Sequence, residues 1–215
     1  MDAGFFPDEL TRISGVQVGF VERIPGVDVA VDKAEALRRL DPYHRAAVQA
    51  SFGRSNWWTA EQVHAAEVAV IDGGEPTEMA GCDGLMTDQS DCLLGIYVAD
   101  CGVIWLVDRA TRAVAILHSG KAGTEQRILP MALERMHARY GTRASDVIAF
   151  LGPCIRPPHY EVDFAAEIGR QAATAGVGEY HDCGLDTAVD LTRYYSYRME
   201  RGKTGRMLGL IMRSG

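Results

Sequence analysis

Two imidazoles and one thiol stand out as the side chains able to do chemistry: His64, Cys101 and His118. Each closes a segment that reads as the end of a strand, namely Gln62-Val63-His64, Ala99-Asp100-Cys101 and Ile116-Leu117-His118. Small or flexible residues follow each one, so a rigid sheet can present them to a cleft. Imidazole, thiolate and imidazole make a borderline-soft set suited to zinc, and three protein ligands leave a position for water or substrate. Spacing alone does not bring them together. His64 and Cys101 lie 37 positions apart (101 − 64). Taken singly, His64 also reads as a surface or cleft histidine and Cys101 as a small buried hydrophobe.

Composition bounds what surrounds these residues. With 215 residues, 47% of them hydrophobic, the chain has material for one well-buried core, and the whole of 1–215 reads as a single domain. A formal net charge of -7 repels phosphate backbones and anionic lipid, so neither nucleic acid nor a membrane is expected as a partner, although a local basic pocket can still hold one phosphate. Cys92 to Val107 is the longest apolar stretch; it is too short to span a bilayer and is interrupted by Asp100. The first eight residues lack the basic and apolar regions of a signal peptide. The five cysteines are odd in number and show no C-x-x-C spacing, which argues against a disulfide framework or a zinc ribbon. A cytoplasmic location is expected.

The positioning elements follow from pattern. Residues 14–22 partly alternate and predict a strand. Asp32 is placed to cap a helix through Leu40, with Pro42 ending or bending it before a second helical piece to Ser51. Asn56–His64 and Glu67–Ile71 read as extended, with a turn at Gly73-Gly74. Leu85–Thr87, Leu93–Ala99, Val103–Val107 and Val114–His118 are continuous apolar runs, the mark of strands covered on both faces. A helix from about Thr124 to Tyr140 ends at Gly141, and Pro130 within it requires either a kink or a regular start near Leu129. Val147–Leu151 predicts a strand, Phe164–Thr174 a helix and Met207–Met212 a closing strand.

Six blocks recur in register: Glu61-Gln62-Val63-His64, Cys82-Asp83-Gly84-Leu85-Met86-Thr87, Ala99-Asp100-Cys101, His118-Ser119-Gly120, Leu151-Gly152-Pro153-Cys154-Ile155 with Tyr160-Glu161-Val162, and Tyr195-Ser196-Tyr197-Arg198 with Thr204-Gly205-Arg206. Together they resemble the laccase-domain family, also called multicopper polyphenol oxidases or YfiH-like proteins, over about Gly15 to Arg213. The resemblance implies an α+β fold, a single-domain layered α/β/β/α sandwich with mixed sheets. It also implies that His64, Cys101 and His118 bind zinc in a cleft. The implied activity is phosphorolysis of the purine nucleosides adenosine, inosine and guanosine, or adenosine deamination. Substrate and phosphate are the implied small-molecule partners, with the protein a monomer or small homo-oligomer.

In that scheme zinc activates a water and polarises a substrate oxygen, while arginines hold phosphate. Arg23, Arg198 and Arg206 lie in matching motifs, each with a structural ion pair as its alternative role. Asp100, adjacent to Cys101, points to the opposite face of a regular strand and reads as a supporting carboxylate. Cys154 and His159 flank a Gly-Pro turn and read as loop packing. His44, His137 and His181 read as surface histidines, and Trp57 and Trp58 as core aromatics.

The chain departs from the family pattern in three places. His-Ala-Gly-Trp-Arg-Gly becomes His118-Ser119-Gly120-Lys121-Ala122-Gly123, so Lys121 replaces the large aromatic and Ala122 the arginine, which leaves Lys121 as the substitute candidate for a substrate-binding cation. The Gly-rich loop that relatives carry after Arg23 is nearly absent, and so is their additional helix after Gly176, where His181-Asp182-Cys183-Gly184 follows almost at once. Three other functional classes stand beside the zinc enzyme. One is copper-dependent phenol oxidation, for which six histidines are too few to build a blue copper plus a trinuclear cluster, although copper would load the site in vitro. The others are a hydrolase with Cys101 as nucleophile and His118 as its base, and a metal-binding protein that has lost catalysis.

Overall fold

A computed structural model describes residues 4–214. After a short helix α1 (Asp8–Thr11) come β1 (Val16–Val21), α2 (Lys33–Phe52), β2 (Trp58–Ala60), β3 (Val68–Val70), β4 (Glu78–Met79) and β5 (Gly84–Thr87). Then follow β6 (Leu93–Val98), β7 (Gly102–Asp108), β8 (Val114–Ser119), α3 (Lys121–Glu125) and α4 (Ile128–Tyr140). The chain closes with β9 (Val147–Leu151), α5 (Phe164–Thr174), β10 (Glu179–Asp182) and β11 (Met207–Arg213). Five strands form one sheet in the order β1-β11-β6-β2-β4, and six form the other in the order β10-β9-β7-β8-β5-β3. Both sheets mix parallel and antiparallel pairs. The expected α/β/β/α layering is what the structure has.

Strand periodicity explains the layers. In β7, Val103, Trp105 and Val107 enter the core between the two sheets, whereas Ile104 and Leu106 enter the core beneath α4 and α5. β8 divides the same way: Val114 and Ile116 face the other sheet, and Ala115 and Leu117 face the helices. Continuous apolar runs are therefore two-faced strands, each parity feeding a different core. On the far side, Val48 and Phe52 of α2 pack with Leu208, Leu210 and Met212 of β11. Trp105 ties the sheets together. Its indole N–H donates to the Leu210 carbonyl of the opposite sheet at 2.9 Å, and Gly209 leaves the space that the indole fills.

Two helical expectations are corrected. Pro42 neither ends nor divides α2, which runs unbroken from Lys33 to Phe52. Leu40, His44, Val48 and Phe52 form one buried stripe, and that burial outweighs the single backbone hydrogen bond that proline removes. Asp32 caps the helix as expected, accepting from the Glu35 N–H at 3.0 Å. The helix expected from Thr124 instead starts regularly at Ile128, the option of a start near Leu129, while Lys121–Glu125 form the separate α3, set off by Arg127 in the left-handed region (φ 63°). Pro130 falls in the first turn of α4, where its missing N–H removes no helical bond, and Gly141 closes the helix at φ 72°. The short α1, β4 and β10 carry too little pattern to be read in advance. No helix among the described residues is long and apolar enough to cross a membrane.

His44 is a third correction. It is fully buried rather than a surface residue, its ring 5.6 Å from that of Tyr97 and neither nitrogen in a hydrogen bond of ordinary geometry. Burial pushes its pKa down to about 4, against weaker opposing effects of Asp41 and the Arg206 backbone. An unfolded histidine titrates near 6.5. Between these values the unfolded chain binds a proton that the folded chain excludes, so stability falls as pH falls through that window. The full loss is about 3 kcal/mol. Urea unfolding across pH 4 to 6.5 should show a flatter pH dependence in His44→Leu than in the wild type; an unchanged slope would assign the acid sensitivity elsewhere.

Candidate metal centre and cleft

The three ligand candidates come from three different connections. β2 ends at Ala60, so the residues expected to close a strand, Gln62 to His64, instead form a loop in which Gln62 (φ 64°) and His64 (φ 63°) are left-handed. The Gln62 amide holds this loop in place. It donates to the Tyr97 carbonyl at 2.6 Å and accepts from the Tyr97 N–H at 3.0 Å, imitating a neighbouring strand at the edge of β6. Cys101 follows Asp100 (φ 82°) in the sharp turn between β6 and β7. His118 lies on β8 with the parity of Val114 and Ile116, so its ring enters the space between the sheets.

These placements converge. The ligand atoms of His64, Cys101 and His118 all lie within 4.8 Å of one another, the group of that kind found among the described residues. A tetrahedral ion with bonds of about 2.0–2.3 Å holds its ligands roughly 3.4–3.6 Å apart, so the three atoms stand within about an ångström of that arrangement. Gly120 is required beside them, because a Cβ there would overlap the Cys101 sulfur.

Asp83 organises the centre, and sequence reasoning did not single it out. Its carboxylate is fully buried. Oδ1 accepts from the His64 N–H at 3.0 Å and lies 2.8 Å from His118 Nδ1, and Oδ2 accepts from the Ala65 N–H at 2.8 Å. Its carbonyl also accepts from the His118 N–H at 2.7 Å. Burial opposes the Asp83 charge, but the hydrogen bonds from His118, Ala65 and His64 outweigh it and hold the carboxyl below its usual range. Burial drives the His118 pKa down and so favours a neutral ring, although the Asp83 carboxylate pulls the other way. With Nδ1–H donated to Asp83, Nε2 is free to bind a metal. The available signal was an acidic residue placed between Cys82 and a wholly buried strand.

Cys101 bears on the choice between chemistries. Burial first, and the Asp100 carboxylate second, push its thiol up to about 12. At neutral pH the group is therefore a neutral thiol, which disfavours an unaided nucleophile. A coordinating divalent ion removes that proton outright. The donor set, its spacing and its carboxylate support therefore fit a metal better than a Cys-His hydrolase.

The centre opens into a cleft of about 420 Å³, lined in part by Tyr97, Tyr160, Phe164 and Tyr197 and by Lys33, Lys121, Arg198 and Arg206. Asp100 reaches it with both oxygens engaged, by the Thr187 hydroxyl and the Arg198 N–H, each at 2.7 Å. It supports the turn as expected, but it does not point to the opposite face from Cys101: Asp100 sits in a left-handed turn rather than on a strand, and both residues line the cleft. Arg198 pairs with Glu161 at 2.9 Å and lies over the Tyr160 ring. Arg206 donates to the carbonyls of Thr204 and Gly205, and burial lowers its pKa.

Arg23 is the exception among the expected substrate contacts. It is absent from the cleft lining and instead forms a two-pronged pair with Glu200 at 2.9 and 3.2 Å, donates to the Tyr194 carbonyl and lies 4.6 Å from the Tyr195 ring centre. A planar five-donor cation so fully engaged joins the segment after β1 to the 194–200 segment rather than binding substrate. Cys154 is buried and His159 pairs with Asp186 at 2.8 Å, both as loop packing. His137 and His181 lie away from the cleft lining, and Trp57 and Trp58 are buried in the core. Lys33 lines the cleft without any sequence signal.

A layered α/β/β/α sandwich with a three-ligand centre open to an aromatic and cationic cleft defines the class of protein. The model of the family described as multi-copper polyphenol oxidoreductase laccase matches residues 10–169 and 162–214. The chain belongs to this family. "Purine nucleoside phosphorylase YlmD" of Geobacillus stearothermophilus is 27% identical over 98% of this chain and 91% of its own length. The crystal structure of YlmD from that organism superposes with a TM-score of 0.85 at 22% identity, covering 94% of this chain and 93% of YlmD, and shows the same fold. "Purine nucleoside phosphorylase Rv2149c" of Mycobacterium tuberculosis is 31% identical over 81% of this chain and 71% of its own. "Adenosine deaminase RL5", from an unknown prokaryotic organism, is 32% identical over 60% of this chain and 52% of its own.

Replacing Asp83 by Asn keeps the size of the side chain but weakens its hold on the His118 ring. The expected result is a loss of metal affinity of about 10–100-fold, read by competition with a chromophoric chelator while the fold persists by circular dichroism. Wild-type affinity in a folded Asp83→Asn protein would remove Asp83 from this role.

Proposed function

We propose that the chain is a zinc-dependent enzyme acting on purine nucleosides, by phosphorolysis of adenosine, inosine or guanosine, by adenosine deamination, or by both. The observation that carries this reading is the convergence of His64, Cys101 and His118 at the floor of a cleft with aromatic and cationic walls. The names of the relatives, phosphorylases and one deaminase, support it at the level of substrate class.

His64, Cys101 and His118 would hold the zinc, which supplies Lewis acidity toward a substrate oxygen or water. The chain's own side chains do the rest. Tyr97, Tyr160, Phe164 and Tyr197 offer faces for a flat, apolar purine. In phosphorolysis a phosphate oxygen bonds to the ribose carbon as the bond to the base nitrogen breaks, and the base departs with that electron pair. Lys121, Arg198 and Arg206 line the wall from which an anion would be held for this attack. Asp83 keeps the His118 ring oriented, and Asp100 braces the Cys101 turn through Thr187 and Arg198.

Copper is the alternative raised by the family's description. A single cluster of three ligands among the described residues supports one metal ion rather than a multicopper assembly. Copper that binds such a site follows its general affinity advantage over zinc.

Metal analysis of protein prepared without chelators or added copper should find one equivalent of zinc, lost in His64→Ala. Incubation with adenosine, inosine and guanosine, with and without phosphate, should then release free base only with phosphate, or ammonia from adenosine. Activity should fall by at least about 10²-fold in His64→Ala. No base and no ammonia under any of these conditions would defeat the nucleoside reading.

A further inference from the structure

The charge of the cleft opposes that of the chain. The protein carries a formal net charge of -7, yet the lining holds Lys33, Lys121, Arg198 and Arg206 against one carboxylate, Asp100. Asp100 is already engaged by Thr187 and Arg198, Arg198 is paired with Glu161, and Arg206 donates to two backbone carbonyls. Lys33 and Lys121 differ from these. Among the described residues neither ammonium takes part in an ion pair or hydrogen bond.

Their residue type is itself informative. The chain's three lysines are Lys33, Lys121 and Lys203, and its remaining basic residues are arginines. Elsewhere the chain meets its carboxylates with arginine, as in the pairs of Arg39 with Asp28 and Glu35, Arg45 with Asp41 and Arg156 with Asp182. Two of the three lysines nonetheless stand at one cleft. An ammonium on a flexible stem is a mobile point charge, suited to following a tetrahedral anion that changes position as a bond forms.

The two lysines come from opposite layers. Lys33 begins α2, which packs on the five-stranded sheet, and Lys121 begins α3, which follows β8 of the six-stranded sheet. Two like charges facing one cleft, neither held in an ion pair among the described residues, are relieved together by one multiply charged anion.

We propose that Lys33 and Lys121 form a two-sided subsite for a phosphate dianion, brought either as inorganic phosphate or as the phosphate ester of a nucleotide. The use of that phosphate in attack on a nucleoside rests on the phosphorolysis reading; its binding does not. A cleft of about 420 Å³ lies within the size range that accommodates a small organic ligand, so phosphate and a nucleoside can share it.

The test uses the full, zinc-loaded chain in phosphate-free buffer, with calorimetric titration of inorganic phosphate, inosine and inosine 5′-monophosphate as separate probes. Lys33→Gln and Lys121→Gln should each weaken phosphate about tenfold, equivalent to about 1.4 kcal/mol, and the double variant by more. Inosine affinity should remain within about twofold in all of them. Lys33→Arg should restore much of the loss, and Lys203→Gln, outside the cleft lining, should bind phosphate as the wild type does. If inorganic phosphate does not bind but the monophosphate binds more tightly than inosine, and that advantage disappears in the glutamine variants, the subsite serves an ester. Glutamine variants that bind both phosphate compounds with wild-type affinity would overturn the proposal, as would a wild type that binds neither more tightly than the variants. Lysine-dependent phosphate binding without any release of base would instead remove the phosphorolysis reading and leave this one standing.

Discussion

One buried carboxylate joins the parts of this site that the chain keeps far apart. Asp83 accepts from the backbone of the His64 loop and from the ring of His118, and its own backbone receives the His118 N–H. A carboxylate removed from water is costly unless its lone pairs are met, and here they are met by the loop and the ligand that a metal centre needs. The same bonds that stabilise Asp83 therefore fix the His64 loop, orient the His118 ring and keep Nε2 available. Loss of this one set of bonds would disorganise two of the three ligands together.

The sandwich makes such an arrangement possible. β8 sends Val114, Ile116 and His118 to the same side, so a strand built for core packing ends by delivering an imidazole to the rim of that core. Cys101 arrives at the same rim through the left-handed turn at Asp100. Rigid strands supply the directions, and loops held by Gln62, Asp83 and Asp100 supply the final approach. Burial of Cys101 completes the logic: it pushes the thiol pKa up, which disfavours an unaided nucleophile, and a coordinated cation would offset that cost.

The electrostatics divide in a similar way. Arginines carry structure, with Arg23 joined to Glu200 and stacked on Tyr195, and Arg156 joined to Asp182. Within an acidic chain, these pairs consume most of the local positive charge. Lys33 and Lys121, outside any such pair, stand instead at the cleft where a small anionic ligand would enter. The positive region is too local to alter the chain's overall repulsion of large polyanions.

Most of the elements were legible in the order of residues, because they depend on near neighbours. Two-faced strands announced themselves as unbroken apolar runs, Asp32 and Gly141 marked helix ends, and the types of His64, Cys101 and His118 indicated a borderline-soft metal. Pro42 misled, since local propensity says nothing about how firmly the stripe Leu40, His44, Val48 and Phe52 is buried. Only the tertiary structure decided that the three ligands meet, that Asp83 serves them, that Arg23 is occupied and that Lys33 is not. Side-chain type and strand parity are local properties of the chain. Distances between strand ends, and the partner each charge finds, are set by sheet order and layer packing, which link residues many positions apart.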